Sequence, residues 1–409
     1  MNLGLSDHAR PLHAAVARMV ASDIAPLDAE FHAEVGRHPS GDRFQHTPRQ
    51  RAILDDLKAT AKSRGLWNFW RTNTPDGPGL TNVDYAYFAE EMGKVRLAAE
   101  CFNCSAPDTG NMEVFDKMGT AAHKERWLAP LLNGEIRSAY LMTEPAVASS
   151  DATNIKVSAV RRGDHFILNG EKYWASGAGD PRCAVYIVLA ETNAEAHKHA
   201  RHSMFVLAAG TPGIEILRPM EIFGHDDAPH GHMHIRFTDV AVPAADLVLG
   251  EGRGFEVAQA RLGPGRIHHC MRSIGLAEVA LELFCRRGLG RTAFGKPLTD
   301  LGGNMDRIAD ARMAIEQARL LCLKAAHIMD TEGVRAAQPF ISMIKVVAPE
   351  VALAICDEAI QLHGGTGVSQ DTPLAAMWMH LRTMRLVDGP DAVHRRQIAR
   401  RELKFHTPS

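Results

Sequence analysis

A chain of 409 residues, 45% hydrophobic and 23% charged with a formal net charge of −2, is long enough for two or three ordinary domains and advertises no polyanionic partner such as nucleic acid. No apolar run approaches the roughly 20 residues needed to cross a bilayer, and the N-terminal MNLGLSDHARPLH has neither a secretory apolar core nor a Ser/Arg-rich transit character. Seven scattered cysteines, an odd count, point to free thiols in a reducing compartment, so the expected location is cytoplasmic.

The first 135 residues read as helices and loops. Leu12, Val16 and Met19 recur at a helical interval within Pro11–Ala21, and Arg49–Arg64 and Asp84–Gly93 look similar. Thr74–Gly79, TPDGPG, is a loop by its proline and glycine content. Cys101 and Cys104 form a lone C-x-x-C without a second pair at zinc-site spacing. EMGKVRLAAECFNCSAP reads as the interior of a helix, which makes both cysteines small apolar residues on a packed face.

Near Ser138 the texture changes to short β-type runs. Lys156–Val160, His165–Leu168, Lys172–Ala175, Ala184–Ala190, Ser203–Ala208, Ile214–Leu217 and His232–Phe237 are separated by turn signals. Arg162-Gly163-Asp164 is one, and Asn169-Gly170 is a strong hairpin signal. The block reads as a small, largely antiparallel β domain. His230, His232 and His234 share one face; three imidazoles can bind zinc, but a solvent-facing strand or interface edge is the preferred reading.

After Gly254 the chain turns helical again. Within Met305–Met329, Ile308, Ala311, Ile315, Ala318, Cys322, Ala325 and Met329 recur at steps of three and four, a bundle seam. Arg307, Asp310, Glu316, Arg319 and Lys324 mark a wetter face. Pro339–Leu362 reads as one helix kinked at Pro349. The basic run His394–Lys404 reads as a solvated helix face, with a docking surface for a ligand's phosphates or an acidic partner as the alternative.

Helical, β, helical is not the alternation of a doubly wound nucleotide fold, and no G-x-G-x-x-G follows a strand. Two distant groups of segments carry the chemistry. The first is YLMTEPAVASSD (Tyr140–Asp151) with EKYWASGAG (Glu171–Gly179). The second is QLHGGTGVSQD (Gln361–Asp371) with RLVDGPDAVH (Arg385–His394). Taken singly, TEP and SSD read as cap or turn signals, Trp174 as core, Gly364-Gly365 as a helix C-cap and Asp388 as a turn residue. Taken together, with DVAVP (Asp239–Pro243) and RTAFGKP (Arg291–Pro297) between them, they resemble the acyl-CoA dehydrogenase family in order and spacing over essentially the whole chain. GPGRIHHCMR (Gly263–Arg272) and GVSQD (Gly367–Asp371) resemble the subgroup that in some animals is fused to a phosphotransferase-like domain.

The resemblance implies an α+β, mainly α fold: an N-terminal helical domain over 1–135, a middle β-sandwich or barrel over 136–250 and a C-terminal four-helix bundle over 251–409. It implies FAD, held from the β domain by Met142, Thr143, Ser149, Ser150, Trp174 and Ser176. Arg291, Gln361, Gly364 and Gly365 would meet the FAD pyrophosphate or adenosine across a subunit interface, and Ser150 and Arg266 would line the acyl-CoA path. No metal is implied. The implied reaction is α,β-dehydrogenation of an acyl-CoA thioester in fatty-acid β-oxidation. A base takes the α-proton, flavin N5 accepts a hydride from Cβ, and the electrons pass to an electron-transfer flavoprotein. A homotetramer built as a dimer of dimers is the family habit.

The implied base is Asp388, a carboxylate whose pKa burial would raise until substrate arrives. Most of the family has Glu-Gly-Thr where this chain has Asp388-Gly389-Pro390, and Asp is shorter by one C–C bond, about 1.5 Å. The resembled subgroup also has Asp. The other position from which some members draw a base is Gly265 here, which cannot take a proton. Pro390 replaces a threonine that usually touches flavin. The alternatives are a flavin oxidase on the same scaffold, since nitroalkane oxidases use an aspartate base, and a non-catalytic flavin or acyl-CoA binding protein.

Overall fold

The computed structural model describes residues 1–406, the side chains of residues 262–264 excepted. The chain gathers into two compact units. One holds Met1–Asp28, Ala61–Phe102 and the chain from Arg266 onward; the other holds Ala29–Thr60 and Asn103–Gly265.

In the first unit, helices bury their apolar stripes against one another. They include Ala9–Met19, Asn82–Gly93, Asn304–Glu332, Val334–His363, Leu374–Met384, Asp391–His406 and most of the long Gly254–Gly290. Ile315, Ala318, Cys322, Ala325 and Met329 form the expected seam in a core with Ile341, Ile344, Ala348 and Ile355. Arg319, expected on the wet face, is mostly covered, because Glu90 and Glu278 both hold its guanidinium. Val334–His363 runs as one helix through Pro339 and Pro349. By length and composition the stretch Val334–Val368 suffices to cross a bilayer, contrary to the sequence expectation; most of it is buried inside this unit, as in a core helix.

The helix expected through Cys101 and Cys104 is broken: a short helix Ala98–Cys101 follows Asn82–Gly93 and ends at Cys101, leaving Cys104 outside it. Asn82–Gly93 ends before them, and both cysteines are buried beyond it. Gly93 marks a close crossing with the long helix. A Cβ there would lie 2.4 Å from the Arg272 carbonyl oxygen, and a Cβ on Gly275 would lie 2.1 Å from that of Glu90. Two facing glycines let the backbones approach this closely. Gly275→Ala is expected to cost roughly 1–3 kcal/mol through overpacking. Thermal unfolding checks it: an unchanged midpoint would mean that the crossing yields freely.

The second unit is built on a sheet of β1 (Arg137–Leu141), β2 (Ser158–Arg162), β3 (His165–Ser176), β4 (Cys183–Glu191), β5 (His202–Ala208), β6 (Ile214–Pro219), β7 (His232–Pro243) and β8 (Leu247–Val248). Its order is β6-β7-β3-β2-β4-β5-β8, an open path, with β1 parallel beside β4. The hairpin falls at Gly163-Asp164, where Arg162 faces His165, and not at Asn169-Gly170. That dipeptide lies inside β3 at a slip in register against β7. Gly170, at φ +131° with Val157 against it, makes a bulge that an L side chain would resist. Phe166, Leu168, Val188, Phe205, Ile235 and Phe237 belong to the core of this unit.

Candidate functional site

Strand β1 hands the chain to the loop Met142–Asp151, and a buried ion pair shapes that loop. The Glu144 carboxylate accepts from the amides of Lys156 (2.7 Å) and Val157 (2.8 Å) and from Lys172 Nζ (2.7 Å). The same ammonium donates to the Met142 carbonyl (2.9 Å). Both side chains are buried. Burial pulls the Lys172 pKa down to about 8, with the Glu144 charge opposing. Neither residue stands among the sequence candidates; the available signal was the single charge in TEP and one of the two in EKYW.

Ser149 is spent inside the loop, its hydroxyl accepting from the Glu144 amide (2.8 Å) and donating to the Val147 carbonyl (3.3 Å). The Thr143 and Ser150 hydroxyls engage no other group among the described residues. Tyr173 donates its amide to the Thr143 carbonyl (3.0 Å), which brings the loop beside β3. There β3 slips register between Lys172 and Ala175, and Trp174, at φ +56°, is 37% exposed rather than core. Ser176 pairs with His232 Nδ1 (2.8 Å). An exposed indole, two unengaged hydroxyls and the half-buried Met142 fit a flat heteroaromatic ring with hydrogen-bonding edges, as a flavin has. His234 is taken by Glu171 (2.9 Å), and His230 precedes the strand. Among the described residues no three metal-binding side chains gather.

In the helical unit, Asp388 sits in the turn between Leu374–Met384 and Asp391–His406. Its backbone is left-handed, φ +54°, and Gly389 follows at φ +100°. Asp enters that region more readily than most residues because its short polar group bonds locally. The Asp388 carbonyl accepts from Arg266 Nε (3.1 Å) and His394 Nε2 (3.3 Å). Its carboxylate lies 3.5 Å from His269 Nε2. The side chain is 22% exposed, so it is less desolvated than expected; the turn around it also leaves Leu386 and Val387 exposed. Pro390 serves as a helix start, its carbonyl accepting from the Val393 amide (2.9 Å).

Arg266 is buried, and its Nε holds the Asp388 peptide. Burial pulls its pKa down, with the Asp388 charge opposing. Lys345, also buried, donates to the Met384 carbonyl, and burial lowers its pKa. His394 is buried too and is pushed down to about 4, so the basic run His394–Lys404 does not begin on a solvated face. His268 diverges from His269 and packs edge-on against Tyr85, 4.3 Å between centroids. Lys345 was visible in the sequence as the charge within ISMIKVVA; His394 had no signal of its own. In Gly263–Arg272, the side chains of residues 263 and 264 lie outside the described residues. A carboxylate on a clamped peptide, still open to solvent, can take a proton from a carbon acid docked against it.

Arg286, Arg287, Arg291 and His363 line an open cleft of about 340 Å³ with Leu283 and Gly290. Gly364 caps the helix Val334–His363, its amide bonding back to Gln361 and Ile360. Gln361, Gly364 and Gly365 are exposed. A helix C-terminus is partially negative and repels phosphate on its own. The arginines supply the opposite charge, and a pyrophosphate fits their cleft.

Three family models match in order: the acyl-CoA dehydrogenase N-terminal domain over residues 6–135, the middle domain over 139–240 and the C-terminal domain over 252–403. The chain is 47% identical over 407 residues to mouse acyl-CoA dehydrogenase family member 10, covering 98% of this chain and 37% of that protein. It is 51% identical over 352 residues to the Mycobacterium tuberculosis protein named probable acyl-CoA dehydrogenase FadE2, covering 86% of each. A solved structure from Mycobacterium abscessus superposes with a TM-score of 0.95 at 49% identity, covering 99% of this chain and 100% of that one. The chain spans about half or less of the length of the animal relatives it matches. The family's general chemistry is flavin-dependent oxidation of acyl-CoA thioesters. With all three domain models matched in order, this chain belongs to the acyl-CoA dehydrogenase family.

Proposed function

We propose that the chain catalyses FAD-dependent α,β-dehydrogenation of an acyl-CoA thioester to the trans-2-enoyl-CoA and passes the electrons to an electron-transfer flavoprotein. The observation that supports this most is Asp388, whose peptide is clamped by Arg266 and His394 while its carboxylate stays reachable. When bound, FAD supplies the two-electron acceptor for the hydrogen leaving Cβ. Asp388 takes the α-proton, and its backbone N–H steadies the charge that develops on the thioester oxygen. Met142, Thr143, Ser150, Trp174 and Ser176 hold the ring, with Ser149 shaping their loop. Ser150 also borders the acyl-CoA path, whereas Arg266 acts through the Asp388 peptide.

Arg291, Gln361, Gly364 and Gly365, joined by Arg286 and Arg287, meet the pyrophosphate or adenosine of FAD across a subunit interface in a homotetramer. Exposed Phe294 and Leu289 beside them favour such an interface. The test is anaerobic: an acyl-CoA panel added to the yellow protein should bleach it and yield enoyl-CoA. A protein that takes up no flavin, or that no thioester bleaches, would refute the reading. An oxidase is the second reading, favoured by an aspartate where glutamate is usual. Rapid reoxidation by oxygen, with peroxide formed, would select it.

A further inference from the structure

We propose that His232 is a positioning residue for Ser176: its Nδ1 accepts from the Ser176 hydroxyl, so that the serine turns an oxygen lone pair toward the flavin ring and favours the ring's reduced form. The inference rests on the reading that Ser176 lies at the ring. Ser176 closes β3 and His232 opens β7, and the two stand directly opposite each other in the ladder. Side chains paired in this way share one face, and Ser176 Oγ comes to 2.8 Å from His232 Nδ1. The hydroxyl has no other hydrogen-bond partner among the described residues.

Which of the two donates depends on the far side of the imidazole. His232 Nε2 lies 3.6 Å from the Asp227 carboxylate. Asp227 is brought there by a loop that its own carbonyl closes, accepting from the Gly231 amide (2.9 Å) just ahead of His232. A neutral imidazole carries one N–H and one lone pair. A carboxylate repels the lone pair and attracts the N–H, so the hydrogen sits on Nε2 and Nδ1 is left to accept. Ser176 then donates to Nδ1, and its oxygen still offers lone pairs. His230 packs edge-on at 6.0 Å between centroids, and burial pulls its pKa down to about 4, so it places no positive charge beside His232. Two-electron reduction of a flavin turns ring nitrogens that accept hydrogen bonds into N–H donors. A lone pair facing such a nitrogen suits the reduced ring better than the oxidised one, and a group that distinguishes the two states moves the potential.

The test reads the redox couple rather than turnover. The FAD-loaded, full-length chain is reduced slowly with dithionite beside a dye of known potential, at pH 8, where free imidazole is neutral. His232→Leu releases the hydroxyl to donate to the oxidised ring. It should shift the ratio of reduced to oxidised flavin about tenfold toward oxidised, the worth of one hydrogen bond, which lowers the midpoint by about 30 mV. His232→Asn can place its side-chain oxygen where Nδ1 stood and should recover most of that shift. A leucine variant with an unmoved or raised midpoint overturns the proposal, and so does an asparagine variant that behaves like leucine. Should His232→Leu lose its flavin, Asp227→Asn takes its place: it removes the charge that holds the hydrogen on Nε2 and should lower the midpoint by a smaller amount, and an unmoved midpoint there overturns the proposal. Ser176→Ala separates the two readings. If it alters neither the midpoint nor the FAD dissociation constant, the placement of Ser176 at the ring falls and the proposal with it. If it alters them while His232→Leu does not, only the role of His232 falls.

Discussion

Asp388→Asn is expected to bind FAD, keep its visible flavin spectrum and lose turnover by roughly 10²–10⁴-fold, the usual worth of a positioned general base. Asn keeps the shape and tolerates the left-handed backbone found there. The Arg266 and His394 clamps grip the peptide carbonyl, so they survive the change. What disappears is a proton acceptor. Asp388→Glu restores the acceptor but lengthens the side chain by about 1.5 Å. A misplacement of about 1 Å costs on the order of 100-fold, so the glutamate variant should fall between Asn and the parent. Stopped-flow reduction by an acyl-CoA that bleaches the parent checks both. A fully active Asn variant would move the base elsewhere.

Lys172→Met should have the largest effect on folding. It removes one half of a buried pair and leaves the Glu144 carboxylate with two backbone donors and no cation. Breaking a buried pair from one side costs about 3–5 kcal/mol, because the remaining charge is stranded. Replacing both, Glu144→Gln with Lys172→Met, should recover part of that loss, since no net charge remains in the interior. Urea unfolding of the parent and the two variants measures the difference, and flavin retention reads the loop. If the single variant is as stable as the parent, the loop does not depend on the pair. If stability drops and flavin affinity is unchanged, the pair serves the sheet and not the cofactor residues.

The sequence showed element types more clearly than element ends. The seam from Ile315 to Met329 was readable because its side chains repeat at the helical interval and all meet one core. The helix expected through Cys101 and Cys104 was misread in its extent: it breaks after Gly93 and stops at Cys101, and the apolar run alone reports neither end. Asn169-Gly170 carried a true conformational signal, a positive φ, but the sheet used it as a bulge within a longer strand. At the candidate site, Asp388 was legible through the Asp-Gly-Pro segment and its order after Gln361–Gly365. Of its surroundings Arg266 was named, though for the acyl-CoA path; His269, Lys345 and His394 were not tied to Asp388, because they come from three different helices and no spacing rule links them. Glu144 and Lys172 escaped notice for a related reason: a buried charge looks like any surface charge until its partner is placed.

Pro349 gives the helix beneath Asp388 an asymmetry. Proline has no amide hydrogen, so the carbonyl one turn earlier, which belongs to Lys345, loses its rung of the ladder. The side chain of that same residue reaches across to the Met384 carbonyl, tying the weakened turn to the end of the neighbouring helix just before Asp388. Lys345 thus fixes where the neighbouring helix ends, four residues ahead of Asp388, from a turn that the proline has already loosened.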